Sequence, residues 1–600
     1  MAEGQTLPQF RLLPMKAPDI QMTRHDSGTI YLTPRQSPGD RPQTVPHCLD
    51  QRAAEHPDRP FLRERDPGSG EWRTLTYGEA KAITDSLAQA FLNLGAGPDA
   101  PVMILSANST RAAMVILAAQ KIGAPAAPIS VPYSLMSSDF EKLRHCFGAV
   151  KPAIIFAEHC RPFLKAIAAL GDTGCKVVSA DPGGDNAVLR YDNLAATVPT
   201  EDVAKAMATL NDDSIGKYLF TSGSTGLPKP VPTTQGAMCS MIGGQEGLRD
   251  DSRDPEHDPD QVHNVLDWLP WNHISGSNVN FNGAIWNGAT FWIDDGKPTP
   301  ALFQRTIDNV RDCSPSSFGT APIALAMLAD AMEEDDTLMT AFFKNMRSIG
   351  YGGATLSDDL YDRLQALAIK ATGRRIPIVT MYGATETQGI TVVHWEAERV
   401  GLIGLPLPGM TLKLVPNGSK LEVRVKGPSV MPGYLDSPEK NAEVFDEEGY
   451  YCLGDAVTFV DENNPEWVSV GTLRPDFVAA CSPLIFDAVI AGQDKNFVSA
   501  MVWPSQAIIE QYIKAADGDH ARGLAAFTDD VVKKAKAFNA GEPGSSRRLK
   551  RLLVLTEPTS IDAGEITDKG YVNQRLVIDR RANLVAGIYA DPPAEGVVQL

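Results

Sequence analysis

Short apolar runs alternate with helix-like segments from about residue 100 onward, and this alternation limits the possible folds more than any other feature. PVMILS at residues 101–106 and PAIIFA at residues 152–157 flank RAAMVILAAQKI at residues 111–122, which has the apolar spacing of a helix. Such alternation predicts βαβ units and a largely parallel sheet. Further on, TLKLV and KLEVRV are joined at Asn417-Gly418, which predicts an antiparallel hairpin.

A chain of 600 residues is too long for one hydrophobic core, so we expect more than one domain. Beyond Asp455 the chain restarts with short apolar runs, the first at residues 467–470, and a helix-like stretch at residues 530–538. The predicted fold class is α/β. A large N-terminal domain of mixed βαβ sheets with an appended antiparallel β unit covers residues 1–458, and a small mobile α+β domain covers residues 459–600.

Charge and cysteine usage exclude several classes of protein. The formal net charge is −19, so we expect no nucleic-acid partner, and a polyanionic ligand needs a local positive pocket. The eight cysteines form no C-x-x-C pair, which indicates reduced thiols without disulfides or zinc. There is no secretory signal pattern and no apolar stretch of membrane-spanning length. We therefore expect a cytoplasmic protein without a membrane span.

The stretch YLFTSGSTGLPKPV at residues 218–231 carries the clearest chemical signal. An apolar strand runs into a loop whose glycines allow backbone N–H groups to approach phosphates, whose hydroxyls donate hydrogen bonds, and whose lysine adds positive charge. The spacing differs from that of a Walker A loop. The candidate nucleotide-binding residues of this loop are Thr221, Ser222, Gly223, Ser224, Thr225, Gly226 and Lys229.

This loop resembles the hallmark T-S-G-S-T-G-x-P-K-G of the acyl-activating (adenylate-forming) superfamily, with Pro230 in place of the last glycine. Further segments resemble other motifs of the superfamily and follow in the same order along the chain. These are LPWNH at residues 269–273, GGAT at 352–355, TMYGATE at 380–386, YYCLGD at 450–455 and GEITDKG at 564–570.

The resemblance implies a nucleotide site with divided roles. Tyr382 would stack on adenine, Thr385 would contact the α-phosphate, and Glu386 would bind Mg²⁺, which favours few carboxylates together with phosphate oxygens. Asp455 would accept hydrogen bonds from both ribose hydroxyls. Lys569 would neutralise charge while a carboxylate attacks the α-phosphate. The other implied nucleotide contacts are Gly352, Gly353, Ala354, Thr355 and Gly383.

Two further residue sets follow from the resemblance. The implied catalytic residues are Lys569, His273, Thr225 and Lys229. The implied acyl pocket is lined by Trp271, His273, Asn278, Tyr351 and Met381.

Longer stretches, including WNHISGSNVNFN and ERVGLIGLPLPGM, resemble bacterial feruloyl-CoA synthases (4-hydroxycinnamate-CoA ligases) over about residues 15–585. This implies an ATP-dependent ligase that activates ferulate or a related hydroxycinnamate as an acyl-adenylate and transfers it to coenzyme A, with Mg²⁺ as cofactor. Other aryl or medium- to long-chain fatty acids, transfer to a carrier-protein thiol, and a non-catalytic nucleotide-binding protein remain open. The sequence also allows a homodimer without requiring one.

One motif of the superfamily is not found where it is expected. After the ribose aspartate the superfamily has a hinge, G-R-x-x-x-D-x-K, about which the small domain rotates. Asp461 lies too early for this motif and Arg474-Pro475-Asp476 lies too late. We therefore predict a shortened connection between the domains, which leaves open an adenylating enzyme impaired in thioester formation.

Overall fold

The computed structural model describes residues 8–222, 227–255, 258, 260–352, 356–418, 420–461, 464–469, 473–492, 495, 497–541, 548–566 and 572–600. The chain divides into two compact units. The larger comprises Met1–Leu135, Phe140–Thr221 and Pro228–Val470, and the smaller comprises Met136–Asp139, Ser222–Leu227 and Gly471–Leu600. The main division therefore lies later in the chain than the boundary expected after residue 458.

The described strands follow one another in chain order. They are β1 Ile20–Arg24, β2 Ile30–Pro34, β3 Pro60–Arg65, β4 Trp72–Thr76, β5 Val102–Ile104, β6 Ala126–Pro128, β7 Ile154–Phe156, β8 Lys176–Ser179, β9 Leu189–Arg190, β10 Ile215–Ser222, β11 Pro228–Thr234, β12 Asn264–Asp267, β13 Thr290–Ile293, β14 Ser317–Thr320, β15 Ser348–Tyr351, β16 Ile378–Ala384, β17 Gln388–Val392, β18 Leu405–Pro406, β19 Thr411–Asn417, β20 Lys420–Lys426, β21 Tyr451–Asp461, β22 Asn464–Ser469, β23 Ile485–Ala491, β24 Val498–Pro504, β25 Leu549–Val554 and β26 Val597–Gln599.

The described α-helices are interleaved with these strands. They are α1 Val45–Glu55, α2 Tyr77–Asn93, α3 Thr110–Lys121, α4 Pro132–Leu135, α5 Glu141–Val150, α6 Cys160–Ala168, α7 Tyr191–Ala195, α8 Glu201–Ala208, α9 Gln235–Leu248, α10 Asn282–Trp286, α11 Phe303–Cys313, α12 Pro322–Glu334, α13 Asp336–Phe343, α14 Asp358–Thr372, α15 Pro438–Val444, α16 Leu473–Ala480, α17 Gln506–Ala515, α18 His520–Gly541, α19 Gln574–Arg580 and α20 Ala582–Tyr589.

Two mostly parallel sheets form the body of the larger unit. Their strand orders are β11-β10-β6-β5-β7-β8-β9 and β18-β17-β16-β15-β14-β12-β13-β3-β4. β5 pairs in parallel with β6 and β7, and β15 pairs in parallel with β14 and β16. The predicted strands at residues 101–106 and 152–157 contain β5 and β7, and the predicted helix between them is α3. The prediction of βαβ units is confirmed.

Local sequence signals fix where the helices of this body begin. The Thr76 hydroxyl accepts from the Glu79 backbone N–H while the Glu79 side chain accepts from the Thr76 N–H, a capping box that begins α2. The Ser109 hydroxyl accepts from the Ala112 N–H at the start of α3. Because α3 is apolar on nearly all sides, it lies inside the core and not at its surface.

An antiparallel sheet of order β1-β2-β19-β20-β21-β22 completes the larger unit. The hairpin predicted at Asn417-Gly418 is present: β19 pairs with β20 from Thr411 opposite Lys426 to Asn417 opposite Lys420. A second hairpin joins β21 and β22, with Val457 opposite Ser469. The strand expected at residues 467–470 therefore belongs largely to this sheet and not to the small domain.

The smaller unit has the predicted α+β character. Its sheet has the order β23-β24-β25-β26, with β24 and β25 parallel and the outer pairs antiparallel. Phe477 of α16 and Phe527 of α18 pack with Leu552 of β25 in its core. Across the described part of the chain, no helix combines the length and apolar character needed to cross a membrane.

Candidate active site

A tight hairpin between β16 and β17 lies at the centre of the candidate site. Thr385, Glu386 and Thr387 form its turn, and Gln388 follows with a left-handed φ of 58°. The pairing register shifts between Tyr382 and Gly383, as expected for a three-residue hairpin loop with a bulge. Only glycine fits at position 383, because a Cβ there would overlap the Gln388 carbonyl oxygen. The turn therefore has one tightly defined backbone path.

The predicted adenine-side and ribose-side residues lie beside each other. The Tyr382 hydroxyl donates a hydrogen bond to Asp455 Oδ2 at 2.5 Å. Burial raises the pKa of Tyr382, and the adjacent Asp455 charge raises it further. Asp455 itself is exposed on β21, so its carboxylate is accessible to a ligand. The structure thus brings together two residues that are 73 positions apart in the chain.

Glu386 is held by a tyrosine pair that sequence reasoning did not assign to the site. The Tyr434 hydroxyl donates to Glu386 Oε1 at 2.8 Å, and the Tyr434 and Tyr451 hydroxyls lie 3.3 Å apart. Burial raises the pKa of Tyr434 most, and the Glu386 charge raises it further. Both tyrosines stand in motif-like runs, Gly433-Tyr434 and YYCLGD. Their contact with Glu386 is long-range and leaves no spacing signal in the sequence.

Glu386 suits a magnesium ion that is shared with a substrate. It is only 8% exposed, and its Oε1 accepts one hydrogen bond, from Tyr434. Within the described ranges, no three His, Cys, Asp or Glu side chains gather into a metal cluster. A single carboxylate is nevertheless the donor set expected for Mg²⁺ that takes its remaining ligands from phosphate oxygens and water.

Lys229 of β11 supplies positive charge near the same tyrosine. Its Nζ lies 5.5 Å from the centre of the Tyr434 ring, within cation–π range. Burial lowers the pKa of Lys229, and the neighbouring Lys440 charge lowers it further. The His145 Nε2 lies 2.9 Å from the Pro228 carbonyl oxygen, which fixes the start of β11. A proline at position 230 is accommodated because β11 is an edge strand.

The phosphate-loop candidates are only partly described. Thr221 lies half-buried in β10, and Ser222 is the last residue of that strand. Gly223, Ser224, Thr225 and Gly226 lie outside the described residues. Their assignment to phosphate binding stays a prediction.

The LPWNH segment follows β12 and is fixed by a buried carboxylate. Asp267 Oδ1 accepts from the Leu269 N–H at 2.8 Å, and Asp267 Oδ2 accepts from Asn280 Nδ2 at 2.9 Å. Burial raises the pKa of Asp267 to about 8. His273 is buried, with its Nε2 3.4 Å from Asn272 Nδ2. A π-helix, Ser275–Phe281, begins just after it, an element frequent at functional sites.

Two residues predicted for the acyl pocket are buried. Trp271 is 3% exposed and packs against Phe281 and Phe291, with ring centres 4.7 and 6.1 Å apart. A large aromatic side chain buries much apolar area by such packing, so Trp271 contributes to the core. Asn278 is fully buried and hydrogen-bonded to Lys217 and Gln388. The assignment of both residues to the acyl pocket stays a prediction.

The other pocket candidates lie at neighbouring strand ends. Tyr351 ends β15, and its hydroxyl accepts from the Gly401 N–H at 3.1 Å, while burial raises its pKa. Gly352 follows it, and its N–H donates to the Thr320 carbonyl oxygen at 3.3 Å. Met381 lies half-buried on the adjacent β16. Ligands of α/β sheets bind at the carboxyl ends of parallel strands, where these residues lie. Gly353, Ala354 and Thr355 lie outside the described residues.

Lys569 also lies outside the described residues, but the segment before it is firmly anchored. Glu565 accepts hydrogen bonds from Arg581 Nε and Nη2, each at 2.8 Å. The pKa of Glu565 is lowered, chiefly by its hydrogen bonds to Arg581. This bidentate pair fixes one end of the GEITDKG segment within the smaller unit.

The interval after Asp455, where the sequence predicts a shortened connection, contains a hairpin. This is the β21–β22 hairpin, and the division between the units follows Val470. Counted from Gly471, the hinge pattern fits only at Gly471 and Asp476, with Thr472 and Val478 at its two cationic positions. Gly471 and Thr472 lie outside the described residues. The absence of the hinge motif and the shortened connection stay predictions.

Arg474, within this same segment, has a structural role. Its Nη2 donates to Asp487 Oδ2 at 2.6 Å and to the Val572 carbonyl oxygen at 2.9 Å. These contacts tie the start of α16 to β23 and to the segment that follows Lys569 in the chain.

The chain is similar in sequence to known proteins along most of its length. The chain is 23% identical to long-chain-fatty-acid–CoA ligase FadD15 of Mycobacterium bovis over 591 residues, covering 87% of this chain and 93% of the relative. It is 25% identical to 4-coumarate–CoA ligase 3 of Oryza sativa subsp. japonica over 582 residues, covering 92% of this chain and 94% of the relative.

Among solved structures, the A domain of carboxylic acid reductase from Segniliparus rugosus, in complex with AMP and a co-purified carboxylic acid, is similar in fold. It superposes with a TM-score of 0.68 at 18% identity, covering 92% of this chain and 94% of that chain. The predicted adenylate-forming fold is thereby confirmed. Residues 49–435 match the family described as AMP-binding enzyme. Because this match spans more than half of the sequence, the chain belongs to the AMP-binding enzyme family.

Proposed function

We propose that this protein is an AMP-forming acyl-CoA synthetase. It activates a carboxylic acid with ATP to give an acyl-adenylate and pyrophosphate, and the thiol of coenzyme A then displaces AMP to form a thioester. The observation that carries the proposal is the β16–β17 hairpin. It presents Tyr382, bonded to Asp455, on strand β16 and Glu386, bonded to Tyr434, in the turn itself.

Tyr382 on β16 suits the nucleoside part of a nucleotide, and Glu386 in the turn suits its phosphates. The Tyr382 ring offers a flat apolar face for adenine, and Asp455 has lone pairs for the ribose hydroxyls. Glu386 would hold Mg²⁺, which when bound would neutralise phosphate charge. Lys229 adds a further positive charge on the same side of the hairpin, and Lys569 would supply the charge opposite the attacking carboxylate.

No protein nucleophile is required for this chemistry. The acid carboxylate and ATP are both anionic, so the protein must hold them in line and stabilise the charge that develops between them. Coenzyme A then needs access to the adenylate, which the proposal assigns to rotation of the smaller domain. Because the superfamily's hinge motif is not found where it is expected in this sequence, the second half-reaction is the step most sensitive to this chain's own sequence.

The proposed acid is ferulate or a related hydroxycinnamate. The sequence stretches that resemble feruloyl-CoA synthases support it, as does the similarity to 4-coumarate–CoA ligase 3. A long-chain fatty acid is the second candidate, because the chain is similar along most of its length to FadD15.

Pyrophosphate release with Mg-ATP tests the proposal directly. Ferulate, 4-coumarate, benzoate, octanoate and palmitate are compared, each with and without coenzyme A, and thioesters are detected by mass spectrometry. Ferulate- or coumarate-dependent pyrophosphate release with a coenzyme A-dependent thioester supports the proposed acid. Preference for palmitate selects the second candidate, and release without any thioester confines the activity to adenylation.

A further inference from the structure

A buried lysine outside the predicted site lies behind the β16–β17 turn. Lys217 of β10 is 1% exposed, and its Nζ donates to Asn278 Oδ1 at 2.7 Å and to the Ser277 carbonyl oxygen at 3.4 Å. In the part of the chain that the structure describes, no carboxylate forms an ion pair with it. Burying a cation without a counter-ion is costly, and an apolar side chain of the same length would avoid that cost.

Asn278 links Lys217 to the turn, because its amide oxygen accepts from Lys217 and its amide nitrogen donates to Gln388. Lys217 Nζ and the Ser277 hydroxyl, at 3.0 Å, both donate to the amide oxygen of Asn278, which leaves the amide NH₂ to point away. Asn278 Nδ2 donates to Gln388 Oε1 at 2.7 Å. Gln388 Nε2 in turn donates to the Thr385 carbonyl oxygen at 3.2 Å. The two donors to the Asn278 oxygen therefore set the orientation of both amides in this chain of hydrogen bonds.

Gln388 also has an unfavourable backbone conformation. Its φ of 58° lies in the left-handed region, where the Cβ of an L-residue is crowded and where glycine or asparagine is more usual. Such a conformation persists when its surroundings hold it in place. Here the side chain is fixed at both its oxygen and its nitrogen, and the same residue closes the turn that carries Thr385 and Glu386.

We propose that Lys217, Asn278 and Gln388 are positioning residues that hold the Thr385–Glu386 turn ready for the α-phosphate and its divalent cation. This inference rests on the proposed function, since it assigns the three residues to the adenylation half-reaction. They act through the turn and do not touch the substrate. The buried network keeps the Thr385 carbonyl bound from behind and the Glu386 carboxylate directed toward the Tyr434 side.

Three variants separate positioning from simple stability. Lys217→Met replaces the lysine by an unbranched apolar side chain one heavy atom shorter and removes its charge and donors. Gln388→Met removes both amide contacts at nearly constant volume, and Gln388→Gly also relieves the left-handed strain. Lys151→Gly is the matched control, because Lys151 has a φ of 48° at the end of α5 and its replacement relieves backbone strain alone.

Kinetics provide the first readout. Lys217→Met and both Gln388 variants should lower kcat for pyrophosphate release, and raise the Mg²⁺ concentration for half-maximal rate, on the order of 10-fold. The KM for the acid should stay unchanged. Lys217→Met should do this while melting at the same temperature as the parent or higher, a combination that a merely structural role does not produce. Lys151→Gly should leave kcat and the Mg²⁺ requirement unchanged.

Hydrogen–deuterium exchange provides a readout that does not depend on activity. Peptides covering residues 380–392 should exchange faster in Lys217→Met and Gln388→Met than in the parent protein, and the control should not change. Parent-like exchange and parent-like kcat in these variants would overturn the inference. A parent protein without acid-dependent pyrophosphate release would instead overturn the proposed function, and the exchange data would then still decide whether the network holds the turn.

Discussion

Tyr434 Oη lies 2.8 Å from Glu386 Oε1, so a tyrosine 48 positions further along the chain orients the carboxylate proposed to bind magnesium. The Tyr451 hydroxyl is 3.3 Å from the same tyrosine oxygen and completes a buried row of polar groups. A carboxylate held in this way cannot rotate freely, which favours one geometry for a metal ion shared with phosphate oxygens.

Tyr434→Phe should weaken the use of magnesium more than it weakens the fold. Loss of the hydrogen bond to Glu386 is expected to raise the Mg²⁺ concentration for half-maximal pyrophosphate release on the order of 10-fold. The free energy of unfolding should fall by about 1–3 kcal/mol, because a buried charged acceptor loses its donor. Tyr361→Phe is the control: it removes a buried hydroxyl bonded to the Ala397 carbonyl, away from the turn. Equal Mg²⁺ curves for the two variants would contradict the assignment.

Tyr382 and Asp455 should behave as a coupled pair in nucleotide binding. Tyr382→Phe removes the 2.5 Å hydrogen bond, and Asp455→Asn weakens acceptance from the ribose hydroxyls. Each variant should raise the KM for ATP, and the double variant should cost less than the sum of the two, with a coupling of about 0.5–3 kcal/mol. Strict additivity in a double-mutant cycle would show that the two residues act independently.

Trp271 should influence stability and leave acid preference alone. Because it packs in the core against Phe281 and Phe291, Trp271→Ala should lower the free energy of unfolding by about 3–5 kcal/mol. The ratio of kcat/KM between ferulate and palmitate should stay as in the parent protein. Denaturant unfolding and competition assays check the two parts. A changed ratio would return Trp271 to the wall of the acyl pocket.

The difference in stability between the parent protein and Lys217→Met should depend on pH. Burial lowers its pKa from 10.5 to about 7, so between these values the unfolded chain binds a proton that the folded chain does not. Its contribution to folding is therefore most favourable above pH 10.5 and is lost as the pH falls toward 7. Lys217→Met should accordingly be more stable than the parent near neutral pH, with the advantage shrinking as the pH rises.

Urea unfolding at several pH values between about 6 and 10 measures this difference. Lys121→Met is the contrasting variant, because Lys121 is equally buried but bonded to Asp50 and Asp85. Its loss removes the buried cation shared by these two carboxylates, leaving them only Lys81, which lies 2.6 Å from Asp85 and 4.0 Å from Asp50, and should destabilise the protein at every pH above the carboxylate range. An advantage of Lys217→Met that does not vary with pH would contradict the titration.

Local patterns were sufficient to predict much of the fold. The apolar runs that contain β5 and β7, and the Asn417-Gly418 turn between β19 and β20, depend on neighbouring residues, and all were correctly predicted. The β21–β22 hairpin was not predicted, because β22 joins a sheet built mainly from earlier strands. Without that hairpin, the sequence placed the domain division after residue 458, before β22, whereas the division between the compact units follows Val470.

The candidate site shows the same division between local and long-range information. Tyr382, Glu386 and Asp455 stand in short motifs that the sequence alone could identify, and the structure adds that Tyr382 lies beside Asp455. Tyr434, Lys217 and Gln388 act through contacts between distant parts of the chain, which composition and spacing do not reveal. Trp271 stands within a motif and Asn278 follows it closely, and the sequence did not predict that both side chains are buried.

Acid-dependent pyrophosphate release with Mg-ATP, followed with and without coenzyme A, tests the central claim most directly. The proposed function predicts release that requires a carboxylic acid, with ferulate or 4-coumarate among the best, and a thioester that forms only when coenzyme A is present. Nucleotide binding with no pyrophosphate release for any acid would contradict the claim that this chain is an acyl-CoA synthetase.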